Sequence, residues 1–233
     1  HEDEPANGEA LVNILLDKGD RDIGLIGWEQ GDATWLGRWE GYKAGVDKWN
    51  EAHPDDPAQL SEPQYAGTTS EGGSKAAEAL MAADPNLDAL IPAGGGGDPL
   101  QGAIAAVERA GKTQDIDIVS TDFLPDLGDR LENGSMAGES GGHYCDPLIA
   151  FMMVYNAVKG NYRQDLQATS RTFPSQYLYV SSAEDYQAYE KYFVDQLPYT
   201  SDELVEMSNL DLSALKEAAK NISIEDAASR AGN

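Results

Sequence analysis

Cations are scarce in this sequence. It carries 16 Lys and Arg against 41 Asp and Glu, a formal net charge of −25. A groove for a phosphate backbone needs Lys and Arg to displace counterions, so nucleic acid is not expected as a partner. Docking to an anionic membrane surface is disfavoured for the same reason. Cysteine is almost absent: the single Cys145 permits neither an internal disulfide nor a cysteine-based zinc site. The three histidines, His1, His53 and His143, are not at ligand spacing, and no D-x-[DN]-x-[DN]-G loop occurs, so no metal is expected. The longest apolar run, Pro147–Tyr155, is far too short to span a bilayer. No signal peptide is legible, and the chain reads as opening inside a fold. The P-loop, G-x-S-x-G and H-E-x-x-H motifs are missing. Nothing in order or spacing selects a catalytic set, so neither an enzyme nor a cofactor is expected.

Hydrophobic residues make up 41% of the chain, enough for a sizeable core, so the acidity reads as a solvated surface. Strand-like and helix-like segments alternate. The apolar stripe of Leu11, Ile14 and Leu15 ends at Gly19 and predicts a helix. Short apolar strands are expected at 22–27, 63–67, 87–92, 115–120 and, more weakly, 135–139. Helices are expected between them at 34–51, 71–83, 99–110 and 125–132, and afterwards at 147–159. This is the pattern of βαβ units around a parallel, doubly wound sheet of the Rossmann or flavodoxin kind. Beyond Gly160 the pattern changes. Residues 161–172 read as a loop, 173–180 as a strand and 183–196 as a helix. Residues 197–233 read as a polar, peripheral tail with short helices at 202–206 and 213–220. Asn133-Gly-Ser and Asn221-Ile-Ser match the glycosylation acceptor pattern, although Asn133-Gly is more simply a turn.

Ligands of open α/β sheets bind beyond the carboxyl ends of the strands. The segments following the strands carry Trp28, Asp32, Trp35 and Arg38; Thr68; Gly94–Gly97 and Asp98; Asp122; and His143 with Tyr144. This rim is rich in aromatics, hydroxyls, carboxylates and glycine, with one Arg and no Lys. It suits a neutral polyhydroxylated ligand, whose apolar ring faces stack on Trp and whose hydroxyls pair with Asp and Arg. Each candidate has a plain structural alternative. Trp39 and Trp49 share a helical stripe with Tyr42 and Val46 and read as core. Trp28 and Trp35 fit core or ligand equally. Arg38 can pair with a carboxylate, Asp122 can cap the helix near Pro125, and His143 can be a satisfied structural histidine. The run Gly94–Gly97 lacks the Lys of a phosphate cradle and reads as backbone passing close to a ligand or another lobe.

The stretches GEALVNILLDKGDRDIGLIG, GRWEGYKAG, PNLDALIPAGGGGDPLQGAIAAVERAGK, DIDIVSTDFLPD and LENGSMAG resemble, in this order, the type I periplasmic binding proteins. The likeness covers about residues 3–161 and is greatest to ribose-type sugar-binding components of ABC transporters. It implies one α/β lobe of a two-lobed clamp that closes over a sugar around a three-stranded hinge. Residues 1–145 would be the second lobe, 146–160 a helix crossing the hinge, and 161–233 a returning strand, a helix and a tail. The first lobe lies outside these residues. The resemblance assigns ligand contact to Asp122 of the D-x-x-P element and to Arg38 of R-x-x-G-[FY]. Some members carry that Arg two residues earlier, where Leu36 stands here. The family's Asn-Asp after the third strand is replaced by Gly96-Gly97 beside Asp98, which departs from an ordinary pentose or hexose site. The family's Gln near the last hinge falls at Gly142 or His143.

Asp122, Arg38, Trp35, Trp28, Asp98, Gly96, Thr68 and His143 are thus the expected ligand residues. The implied function is extracytoplasmic solute binding for an ABC permease, periplasmic or extracellular, with lipid anchoring as one form. The effector domain of a LacI-like regulator or a signalling sensor is the alternative on the same fold. Two further expectations follow. The helix 147–159 presents Leu148, Phe151, Met152 and Tyr155 without its usual partner, to be covered by helix 183–196, the missing lobe or a second copy. The chain alone should bind sugar weakly, because half of the clamp is absent.

Overall fold

The computed structural model describes residues 3–94, 98–142, 147–160 and 176–231. The chain divides into two compact units. The larger comprises Glu4–Gly141 with Val180–Tyr186. Its elements are α1 (Glu4–Lys18), β1 (Asp22–Gly27), α2 (Ala33–Ala52), β2 (Gln59–Leu60), β3 (Gln64–Tyr65), α3 (Ser70–Ala83), β4 (Ala89–Pro92), α4 (Asp98–Arg109), β5 (Asp117–Thr121), α5 (Leu127–Asn133) and β6 (Gly138–Gly141). β7 (Leu178–Val180) enters it at Val180, and α7 (Ala183–Tyr189) begins within it. The sheet order is β2-β1-β4-β5-β6-β7, with β3 also paired to β1. The pairings of β1 with β2, β3 and β4, of β4 with β5 and of β5 with β6 are parallel.

Local chemistry sets most of these boundaries. α1 buries Leu11, Val12, Leu15 and Leu16 and stops at Gly19, whose φ of 110° lets the chain turn with its N–H donating to Leu15 O. Asp32 and Thr69 cap α2 and α3 with their side chains. Gly134, at φ 80°, ends α5. β1 is buried along nearly its whole length, as expected for a strand covered on both faces. Its Ile23 and Leu25 join α1 and α2 in the main core with Trp35, Tyr42 and Ile91. Gly24, pointing the other way, lies against Leu80 of α3 and Leu87. Helices therefore cover both faces, as the alternating pattern predicts.

One strand differs from its expected form. The strand predicted at 63–67 is only the short β3, and a second short piece that was not expected, β2, precedes it; both are parallel to β1. Pro63 has no N–H to give the ladder, and Ser61 bridges the gap by accepting from Leu25 N at 2.9 Å. At the amino ends of the strands Asp88 accepts from the backbone N–H of Arg21 and Asp22. Nearby, burial and the Asp117 and Asp88 carboxylates push Asp20 up to about 7.

The second unit holds the described residues of Gly142–Tyr179 and Gln187–Asn233. It contains α6 (Pro147–Val158), a wider turn over Glu190–Val194, α8 (Ser201–Met207), α9 (Leu212–Lys220) and α10 (Ile224–Ala231). The helix expected over 183–196 changes pitch after Tyr189, and the Asp195 N–H donates to Glu190 O, five residues back. The segment 197–231 is not a peripheral tail. Met207, Leu215 and Ala219 form a small core with Met152 of α6, flanked by Leu148, Tyr199, Leu204 and Leu210. The chain is polar overall there, yet α9 and α10 are amphipathic enough to bury one side each. α10 was not foreseen; Ser223 accepts from Asp226 N and caps it, and Ile224 and Ala227 are buried. α8 and α9 thus cover Met152, the role expected of helix 183–196. Phe151, Val154 and Val158 remain exposed. The expected loop 161–172 and the start of the strand at 173–175 lie outside the described residues.

Candidate functional site

With β2 and β3 taken as one broken strand, the order runs 2-1-3-4-5-6, the flavodoxin-like 2-1-3-4-5 with β7 added at the end. Its crossover reverses between β1 and β4, so the crevice lies where Trp28 and the start of α4 leave the sheet. Trp28 is half-buried, with the Arg38 guanidinium 5.2 Å from its ring centre. The Gly67 N–H donates to Trp28 O at 2.8 Å and brings the exposed Thr68 beside it. Arg38 itself is nearly buried, 4% exposed, and its Nε donates to Glu4 Oε2 at 2.7 Å. Trp35 lies wholly inside: its ring packs on Gly27, where a Cβ would come within 2.7 Å of it. Trp35 is therefore a core residue that supports the Trp28 loop from below, with no face at the rim. Trp49 and Trp39 flank the same core, as read from the stripe, with Trp49 stacked on His53 at 3.9 Å.

Further along the rim the chain leaving β4 passes close against the end of β5. A Cβ on Gly94 would lie 1.8 Å from Thr121 O, so only glycine lets the chain leave β4 there. Gly96 and His143 lie outside the described residues, and Asp98 is placed only as the first residue of α4. Asp122, directly after β5, is held at φ 74°, which costs a non-glycine residue about 1 kcal/mol or more. Its N–H donates to Ser140 O at 2.6 Å. Thr121 and Ser140 bond each other through their hydroxyls at 3.1 Å, and Asn7 Nδ2 donates to Thr121 Oγ1 at 3.1 Å. This buried polar net underlies Asp122 and fixes its strained backbone.

Glu139 is the site-adjacent residue that sequence reasoning missed. It sits inside β6, fully buried, with Oε2 accepting from Leu124 N at 2.8 Å and Oε1 without a partner among the described residues. Burial, with the nearby Asp122 charge, pushes its carboxyl up to about 8 against the Leu124 hydrogen bond. The available signal was a glutamate flanked by small residues, GESG, inside a parallel strand; the charge made the strand read as weak. A raised folded pKa means that the folded state holds the proton longer than the unfolded one. The stability it contributes is full below about 4.5 and is lost as the pH rises through about 8. Melting temperature should therefore fall over that window, and Glu139→Gln should flatten the fall. Calorimetric scans of both proteins from pH 5 to 9 check this; Asp20→Asn should remove a separate part of the slope.

Among the described residues no group of His, Cys, Asp and Glu is placed to hold a metal, and no helix is long and apolar enough to cross a membrane.

No protein-family model matches the sequence, and neither does any curated protein. Solved structures do match. GanP, a glucose-galactose binding protein from Geobacillus stearothermophilus, aligns at TM-score 0.64 and 16% identity over 79% of this chain and 61% of its own. An ABC transporter periplasmic solute-binding protein from Actinobacillus succinogenes, with bound D-allose, aligns at TM-score 0.65 and 15% identity, over 81% and 62%. An ABC transporter solute-binding protein from Agrobacterium vitis, with bound D-fucose, aligns at TM-score 0.64 and 16% identity, over 85% and 63%. The chain spans about three-fifths of the length of these proteins. At such identities the likeness is one of fold. By that fold the chain resembles one lobe, with a mostly parallel sheet, of the two-lobed type I periplasmic binding proteins, the sugar-binding components of ABC transporters.

Proposed function

We propose that this chain is the second lobe of an extracytoplasmic receptor that binds a sugar or a similar neutral polar solute and hands it to an ABC permease. The observation that supports this reading is that Trp28 follows β1 and Asp122 follows β5, on either side of the switch point between β1 and β4. In this reading the Trp28 ring stacks on an apolar sugar face and Asp122 accepts from hydroxyls. Arg38 orients Trp28 and stays paired with Glu4. Asp98, Gly96 and His143 stay in this reading as ligand contacts expected from the sequence alone. In this reading the protein binds and releases its ligand without chemistry on it. Closure of a first lobe over this rim buries the ligand and presents the closed shape to the permease. The same lobe, or a second copy, covers Phe151, Val154 and Val158.

Titration calorimetry with D-glucose, D-galactose, D-allose, D-fucose and D-tagatose tests the reading. The 233-residue chain should bind at least one of them weakly, with Kd on the order of 1 mM, and a protein carrying both lobes should bind it far more tightly. Asp122→Ala should weaken binding about tenfold or more in either form. A two-lobed protein that binds none of these sugars, or an unchanged affinity in Asp122→Ala, counts against it.

A further inference from the structure

Three successive residues of β6 shape the turn that carries Asp122. The Glu139 carboxyl accepts from Leu124 N at 2.8 Å. The Ser140 carbonyl accepts from Asp122 N at 2.6 Å. Gly141 leaves space for the Phe123 ring, which a Cβ there would meet at 2.8 Å. Two of these supports are backbone features, while Glu139 works through its side chain. We propose that Glu139 is a positioning residue for Asp122, and that it fastens the 122–124 turn as a neutral carboxylic acid. This rests on the reading of Asp122 as a ligand contact and extends it to a residue that never touches the ligand.

The protonation state follows from the surroundings. The charged groups that face Glu139 are Asp122 from the β5 end, and Asp126 and Arg130 from α5 and its cap. Arg130 is already engaged by Asp126 through hydrogen bonds of 2.9 Å. A charged Glu139 would thus sit buried, near the Asp122 and Asp126 charges, with one N–H donor and, among the described residues, one unsatisfied oxygen. The strained backbone at Asp122 offers the easiest release: opening the turn hydrates the carboxylate and moves Asp122 off the rim. Ligand affinity should then fall as the pH rises through about 8, where Glu139 titrates.

The test uses the full 233-residue chain, isotope-labelled, with amide chemical shifts and exchange rates read from pH 5.5 to 9. In the unmodified protein the Asp122 and Leu124 amides should titrate together with one inflection near the Glu139 value. Glu139→Gln keeps an acceptor for Leu124 N and cannot ionise, so the low-pH shifts should persist and the inflection vanish. Glu139→Leu removes the acceptor, and Leu124 amide exchange should rise about tenfold at every pH. An inflection that survives in Glu139→Gln overturns the proposal, and so does unchanged Leu124 exchange in a folded Glu139→Leu. Should Glu139→Leu fail to fold, Glu139→Gln decides alone. The sugar panel is then repeated at pH 6 and 8.5. Affinity should drop severalfold in the unmodified chain and hold in Glu139→Gln; equal drops in both overturn the link to binding. If no sugar binds, the function above fails, while the amide titration still decides whether Glu139 positions Asp122.

Discussion

Gly41→Ala is expected to lower stability by about 3 kcal/mol or more. α1 and α2 cross with their backbones in contact. A Cβ on Gly41 would lie 2.0 Å from Pro5 O and 2.7 Å from Glu9 N, and one on Gly8 would lie 2.1 Å from Arg38 O. These are main-chain atoms of packed helices, so no rotamer change relieves the clash. The helices must part, and the buried layer of Leu11, Leu15, Trp35 and Tyr42 opens with them. For a chain of this size the loss corresponds to a fall in melting temperature of roughly 10 °C. Gly111→Ala is the matching control. Nothing lies within 4 Å of its Cβ and only its φ of 68° is strained, so its cost should stay near 1 kcal/mol. Thermal denaturation followed by circular dichroism compares the two. Equal, small shifts would show that the crossing is not close-packed. The same device recurs in α3 and α4, where Gly73 meets Pro99 O and Gly102 meets Ser70 O.

Arg38→Met should be the most damaging side-chain change at the rim. The Arg38 and Glu4 side chains are 4% and 14% exposed, and their contact is 2.7 Å. Removing the guanidinium takes the Arg38 bond from a shielded carboxylate near Tyr42, and breaking a buried pair costs about 3–5 kcal/mol. Adding Glu4→Gln should recover part of that, because the carboxylate that faced the guanidinium is then neutral. The pair of variants also separates two roles that the sequence leaves open. If Arg38 only orients Trp28, the double variant should bind sugar within severalfold of the unmodified chain. If Arg38 grips the ligand directly, binding should stay lost although part of the stability returns. Chemical denaturation and calorimetry on the three proteins make the distinction.

Much of the larger unit was legible in the sequence for reasons that are local. The stripe of α1 and its stop at Gly19, the apolar run of β1, and the caps Asp32 and Thr69 all act within a few residues. So does the approximate span of α4. The rim was legible for the same reason: once strands are placed, the residues that follow them are at the carboxyl ends by construction. Pairwise choices were not legible. Whether Trp28 or Trp35 faces outward depends on Gly27 making room for one indole. Whether Arg38 meets a ligand or Glu4 depends on how α1 crosses α2, which short-range pattern does not encode.

The second unit shows the same limit more sharply. Residues 197–231 look like a solvated tail because few of them are apolar, yet Met207, Leu215 and Ala219 suffice to close over Met152. Glu139 looks like a strand breaker, but β6 accepts it because Leu124, distant in sequence, supplies a donor.

The sequence by itself determined the charge, and with it the expectation against polyanionic partners, the alternation that builds a parallel sheet, and the polar, aromatic rim, since each of these rests on composition or on a period within one segment. The tertiary structure alone decided which rim residues are reachable and what holds Asp122 in its strained turn. Those outcomes depend on contacts between segments far apart in the chain, where a single glycine or a single N–H settles which of two equally plausible side-chain placements can be packed.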